Sequence, residues 1–203
     1  MFFMGIGIAI SFFDLLTAPI ATLCVPLVFV LFANSQKSLK EKVLILFKLA
    51  ISWCVGYFGF WLLKWVFVSA MLGENFVVKA FEQVLYRVGE DAGYQSGFGI
   101  RLLSITLNFG LFFNWKNLVA LVVFVAYFVY FVSKHKRDIV FDWKICLPYL
   151  LVAIIPLGWN FVLGNHTFMH YWFTFRGFIG IVFAIFVMLI DSCKNKIQIE
   201  KVL

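Results

Sequence analysis

The sequence predicts an all-α, polytopic transmembrane helical bundle with about four full spans plus one or two partial or re-entrant segments. Three observations predict it. Hydrophobic residues make up 64% of the 203 positions and charged residues 13%, where soluble domains average roughly 45–50% and about 25%. The mean hydropathy is +0.98. The apolar residues run in solid blocks approaching or exceeding the ~18 residues of a spanning helix, without the alternation of a transmembrane barrel. A disordered chain, a collagen-like chain and an ordinary soluble enzyme are excluded together. The chain reads as one transmembrane helical domain over 1–203, with an external loop at 73–101.

Residues 2–33 are apolar apart from Ser11, Asp14, Thr17 and Thr22. One helix over this stretch would be about 48 Å long, too long for a ~30 Å hydrocarbon core. Asp14 and Pro19 therefore mark a break between a short arm (2–13) and a returning span (19–33). Asn34 to Lys48 reads as a polar connector. A span follows at 49–70, in which Lys64 snorkels to the interface beside Trp61 and Trp65. In the segment Gly73 to Arg101, opposite charges nearly cancel. Within it, 75–88 has the apolar spacing of an amphipathic surface helix, and the tract Gly89 to Gly99 is glycine-rich. Leu102 to Phe113 is apolar but too short to span. Further spans are expected at 117–132, 145–163 and 177–191, with an outer turn over 165–176 between the last two.

Charge orients the bundle. The net charge is +7, from 17 basic and 10 acidic residues. Eleven of the 17 basic residues fall on one side: Lys37, Lys40, Lys42, Lys48, Lys134, Lys136, Arg137, Lys144, Lys194, Lys196 and Lys201. Bases gathered in short loops are what the positive-inside rule expects, so that side is cytoplasmic and no nucleic-acid partner is implied. The segments around Asp14 and 165–176 then share the outer side. The N-terminus shows no basic region and no cleavage site of a signal peptide. Cys24, Cys54, Cys146 and Cys193 form no CxxC pair, so no zinc site or disulfide framework is indicated.

The richest chemistry lies in Asn165-His166-Thr167-Phe168-Met169-His170-Tyr171-Trp172-Phe173-Thr174-Phe175-Arg176. On a helix His166 and His170 share a face, and Thr174 continues it. Three readings stand side by side. Two imidazoles one turn apart can hold a metal, although the metalloprotease pattern requires Glu where Thr167 stands. Arg176 can fork two hydrogen bonds to a phosphate, with His166 or His170 adding donors. The stretch can also be an aromatic belt with an interfacial Arg. Asn165-His166-Thr167 is a glycosylation sequon as well. Asp14 in apolar surroundings either caps a helix or faces an outer site, where a nearby cation such as Arg176 would tune it. Glu90-Asp91 is an acidic pair most simply read as a solvated loop. No Walker A loop, no GxGxxG and no Ser-His-Asp arrangement occurs, so no cofactor is called for.

Two stretches together resemble a group of bacterial polytopic membrane proteins. Phe12-Phe13-Asp14-Leu15-Leu16-Thr17-Ala18-Pro19, with Thr22-Leu23 and Pro26-Leu27, resembles their "DFLT-x-P … TL … PL" segment. Trp159 to Thr167, with His170 and Phe173-Thr174-Phe175-Arg176, resembles their "W … NH(S/T) … H … FT-x-R" segment. Those proteins look like C-type (GT-C) glycosyltransferases, which use sugars carried on polyprenyl phosphate. The resemblance covers about a fifth of the chain. It implies a bacterial plasma membrane, membrane lipids and a polyprenyl-phosphate sugar as partners, and a substrate-binding set of Arg176, His166, His170, Asp14 and Asn165. Full-length proteins of this kind carry their catalytic acid in an early external loop. The chain looks like a C-terminal portion of one, so Asp14 is not equated with that acid. The alternative expectation is non-enzymatic: a lipid-handling, transport or structural membrane subunit.

Overall fold

The computed structural model describes residues 1–13, 19–89, 97–136, 138–139 and 141–202, with side chains described as far as Cys193. Asp14, Glu90 and Asp91 lie outside the described residues, as do Arg137 and the side chains of Lys194, Lys196 and Lys201. The described residues form helices and no strand: α1 (Phe2–Phe13), α2 (Pro19–Ala33), α3 (Leu39–Leu72), α4 (Phe76–Val88), α5 (Phe98–Gly110), α6 (Trp115–His135), α7 (Trp143–Val162), α8 (Gly164–Met169), α9 (Tyr171–Thr174) and α10 (Ile179–Val202). Two short 3₁₀ turns, Leu111–Phe113 and Phe175–Phe178, link α5 to α6 and α9 to α10.

Four stretches are long and apolar enough to cross a membrane: Leu39–Leu72, Trp115–His135, Trp143–Val162 and Tyr171–Cys193. The chain is an integral membrane protein with an all-α polytopic fold. The last crossing differs from the expected 177–191. Helical turns continue back through the 3₁₀ turn to Tyr171, giving a stretch of 23 residues. The returning segment at 19–33 is a helix of 15 residues, about 22 Å long and short of the hydrocarbon thickness. It is nevertheless the centre of the core. Cys24, Leu27, Val28 and Leu31 are buried there against Trp53 and Tyr57 of α3, Tyr149 and Val152 of α7, and Ala184 of α10.

The connector expected over Asn34 to Lys48 is much shorter. Ser38 and Glu41 form a reciprocal capping box, which starts α3 at Leu39 and satisfies orphan donors at the helix N-terminus. Its 34 residues span about 51 Å, so the helix projects well beyond a hydrocarbon core. Gly73, at φ 70, ends it in the left-handed conformation, which glycine adopts without penalty.

α1 lies along the far half of α3. Gly7 and Gly56 meet face to face: a Cβ on Gly7 would strike the Trp53 carbonyl, and a Cβ on Gly56 the Met4 carbonyl. Small residues permit this backbone approach, a principal source of packing energy between helices in lipid. Lys64 does not snorkel outward as the sequence suggested. Its Nζ donates to the Ser11 carbonyl at 2.7 Å, satisfying one of the last carbonyls of α1, where a cation is also favoured by the helix dipole.

α6 stands at the edge of the bundle. Phe124, Tyr127 and Phe131 meet Phe186 of α10, with ring centroids 5.6–6.5 Å apart. No residue of its spanning window is buried, as suits a helix whose other faces meet lipid.

On α10, Asp191 is fully buried and accepts a hydrogen bond from the Tyr149 hydroxyl at 3.1 Å. A carboxylate in a spanning helix is expensive unless it is paired. The α7–α10 contact supplies a partner, together with the phenol ring that shields it.

Candidate functional site

The end of the bundle remote from Leu39 and Trp143 carries α4, α5, α8 and α9. α4 confirms the amphipathic helix expected at 75–88. It starts on Asn75, whose side chain accepts from the Val78 amide, and ends on Gly89 at φ 105. Lys79 in its first turn pairs with Glu74, which precedes the cap, at 2.7 Å. The Lys79 hydrogen bond, then its charge, hold the Glu74 carboxyl below the usual range. α5 does not cross the bundle. It packs across α8, α9 and the end of α7.

Arg101 joins these pieces. Its guanidinium donates to the Val88 carbonyl at 3.3 Å and to the Phe161 carbonyl at 3.2 Å. One cation thus serves the C-termini of α4 and α7, where carbonyls are left over and the dipole is negative. Gly164 makes room for it, since a Cβ there would stand 2.7 Å from Arg101 Cγ. The sequence reading counted Arg101 only among loop charges. The signal it lacked was the position of two helix ends around a third helix.

The stretch 165–176 is helical, not an open turn, and breaks at His170 between α8 and α9. As helical spacing suggested, His166 and His170 come together, with ring centroids 4.9 Å apart. Phe173 stacks on His170 at 5.2 Å, and Trp172 meets His170 edge-on at 5.3 Å. The imidazole pair therefore sits within an aromatic group. Among the described residues no set of three His, Cys, Asp or Glu side chains gathers to hold a metal.

The other members of the predicted set separate. Asn165 is buried, and its amide donates to the Tyr86 carbonyl at 2.8 Å. It locks α8 to α4, so as a sequon asparagine it presents no free amide to a glycan. Thr174 turns inward instead of continuing the histidine face. Its hydroxyl donates to Asn108 Oδ1 at 2.8 Å, and the Asn108 amide donates to the Ser104 carbonyl at 2.8 Å. The Thr167 hydroxyl lies 3.0 Å from both the Asn160 and Leu163 carbonyls. This buried polar network fastens α5 to α8 and α9, as buried polar groups require. Arg176 is exposed on the 3₁₀ turn, and its guanidinium has no hydrogen bond or ion pair among the described residues. That turn packs on α2, with Gly177 against Ile20. The N-terminal end of α2, where the Asp14 segment leads in, thus lies beside the Arg176 turn.

No family model, curated protein or solved structure matches this chain. The candidate site therefore rests on its own geometry: the Arg176 guanidinium, unpaired among the described residues, two imidazoles within an aromatic group, and a buried polar network that ties α5 to α8 and α9. Such a set can receive an anion. Arg offers a planar fork to phosphate oxygens, and imidazole N–H groups supply further donors.

Proposed function

We propose that the chain binds a polyprenyl-phosphate-linked sugar at the outer membrane face and belongs to a glycosyltransferase-like machinery of the cell envelope. The observation that carries this reading is the exposed Arg176 guanidinium, unpaired among the described residues, at the remote end of an integral membrane bundle. His166 and His170 on the preceding turns supply imidazoles on the same cap. The resemblance of the Asp14 and Trp159–Arg176 segments to GT-C proteins supports the choice of carrier. Arg176 would hold the carrier phosphate, with the histidines assisting. Fixed positive groups there would stabilise charge that develops on a departing phosphate.

Arg176→Ala is expected to weaken binding of a short polyprenyl phosphate by tenfold or more, about 1.4 kcal/mol for each factor of ten. Native mass spectrometry of the purified chain measures it. The variant should fold normally, because the Arg176 side chain is exposed and only its backbone carbonyl, which alanine keeps, accepts a hydrogen bond among the described residues. Equal binding by wild type and variant would return the turn to an aromatic belt and the chain to a non-enzymatic lipid-handling or structural role.

A further inference from the structure

A cavity lies beside α4, and Arg176 is not among its lining residues. The far half of α3, the helix α4 and the end of α7 enclose a cavity of about 320 Å³, within the roughly 300–1,000 Å³ of ligand pockets. Tyr57, Trp61, Phe81, Val84 and Trp159 form its walls, and among the described residues Arg87 is the one charged group that lines it. The aromatic walls are braced against one another: Trp61 meets Phe81 edge-on at 5.5 Å, and Tyr57 meets Trp159 at 6.1 Å. Phe81 is about half exposed, so the slot is open to the surroundings of the bundle.

The Arg87 side chain has no ion pair or hydrogen bond among the described residues, while on the same helix Lys79 is neutralised by Glu74. Glu82, five positions before Arg87, lies about 140° away around the helix. The slot thus offers a hydrocarbon-lined trough with a single cation. A peptide would leave its backbone groups without partners against such walls. A soluble anion would leave the trough without an occupant. We infer that the α3–α4–α7 slot holds one acyl chain of an anionic phospholipid, with the lipid phosphate on the Arg87 guanidinium. The proposal is independent of the carrier-lipid reading of Arg176.

The test uses the full chain in detergent, offered phosphatidylglycerol or phosphatidylcholine of equal chain length and read by native mass spectrometry. The wild type should retain phosphatidylglycerol about tenfold better, as a charge-assisted phosphate contact implies. Arg87→Gln should remove that preference. Val84→Trp, which fills the slot, should lower retention of both lipids. Thermal unfolding checks that the variants fold. An undiminished phosphatidylglycerol preference in Arg87→Gln would overturn the proposal, as would retention unaffected by Val84→Trp. It would also be overturned if the slot retained a short polyprenyl phosphate and no phosphatidylglycerol, since the occupant would then be a carrier lipid.

Discussion

Replacing Gly56 by leucine lowers the unfolding free energy by about 3 kcal/mol and detaches α1 from α3. The reason is backbone geometry. A Cβ at Gly56 would collide with the Met4 carbonyl, and the facing Gly7 is equally confined by the Trp53 carbonyl and the Tyr57 amide. Flexible side chains can turn aside, but a helix backbone can only move away as a unit. Moving α1 also withdraws the Ser11 carbonyl from Lys64. Gly59 provides the control, because a Cβ there meets nothing within 4 Å. Gly59→Leu should therefore leave stability nearly unchanged, or raise it through helix propensity. Thermal unfolding of both variants in one detergent makes the comparison. Equal melting temperatures for Gly56→Leu and wild type would contradict the α1–α3 crossing.

Arg101→Met is expected to cost roughly 2–4 kcal/mol, because it leaves the part-buried Val88 and Phe161 carbonyls without their charged donor. The loss should be local before it is global. α4 would lose its tie to α7, leaving Asn165, through the Tyr86 carbonyl, as a hydrogen-bonded link from α8 to α4. Hydrogen exchange over 76–88 should rise in the variant while exchange over 143–160 stays near wild type. Arg101→Lys should recover part of the loss, since an ammonium can reach one carbonyl but cannot fork to two. Unchanged exchange over 76–88 in Arg101→Met would show that α4 is held by its apolar face alone.

These two residues mark what the sequence could and could not disclose. Hydropathy made the bundle legible, because solid apolar blocks have few other fates. The amphipathic helix at 75–88 was legible too, since its apolar residues recur at helical spacing. The start of α3 was obscured by its lysines, although Ser38 and Glu41 hold the capping-box spacing that marks it. By sequence Lys64 reads as a snorkelling interfacial anchor and Arg101 as one of several loop charges, because nothing local names another partner for either. Each instead serves the carbonyl end of another helix, a partner that only the packing supplies. At the candidate site, i, i+4 spacing was enough to pair His166 with His170. It could not place Asn165 and Thr174, whose hydrogen-bond partners, Tyr86 and Asn108, are 79 and 66 positions away. Asp14 lies outside the described residues, and its part in the site remains an expectation of the sequence.

In the proposed function a carrier phosphate docks on the cap formed by α8, α9 and the Arg176 turn. Photo-crosslinking tests it most directly, using a polyprenyl phosphate with the reactive group beside the phosphate, followed by peptide mapping of the adduct. Labelling is expected within 165–178 and should be reduced in Arg176→Ala. Labelling confined to the lipid-facing surface of α6, or spread evenly over the spanning helices, would contradict it.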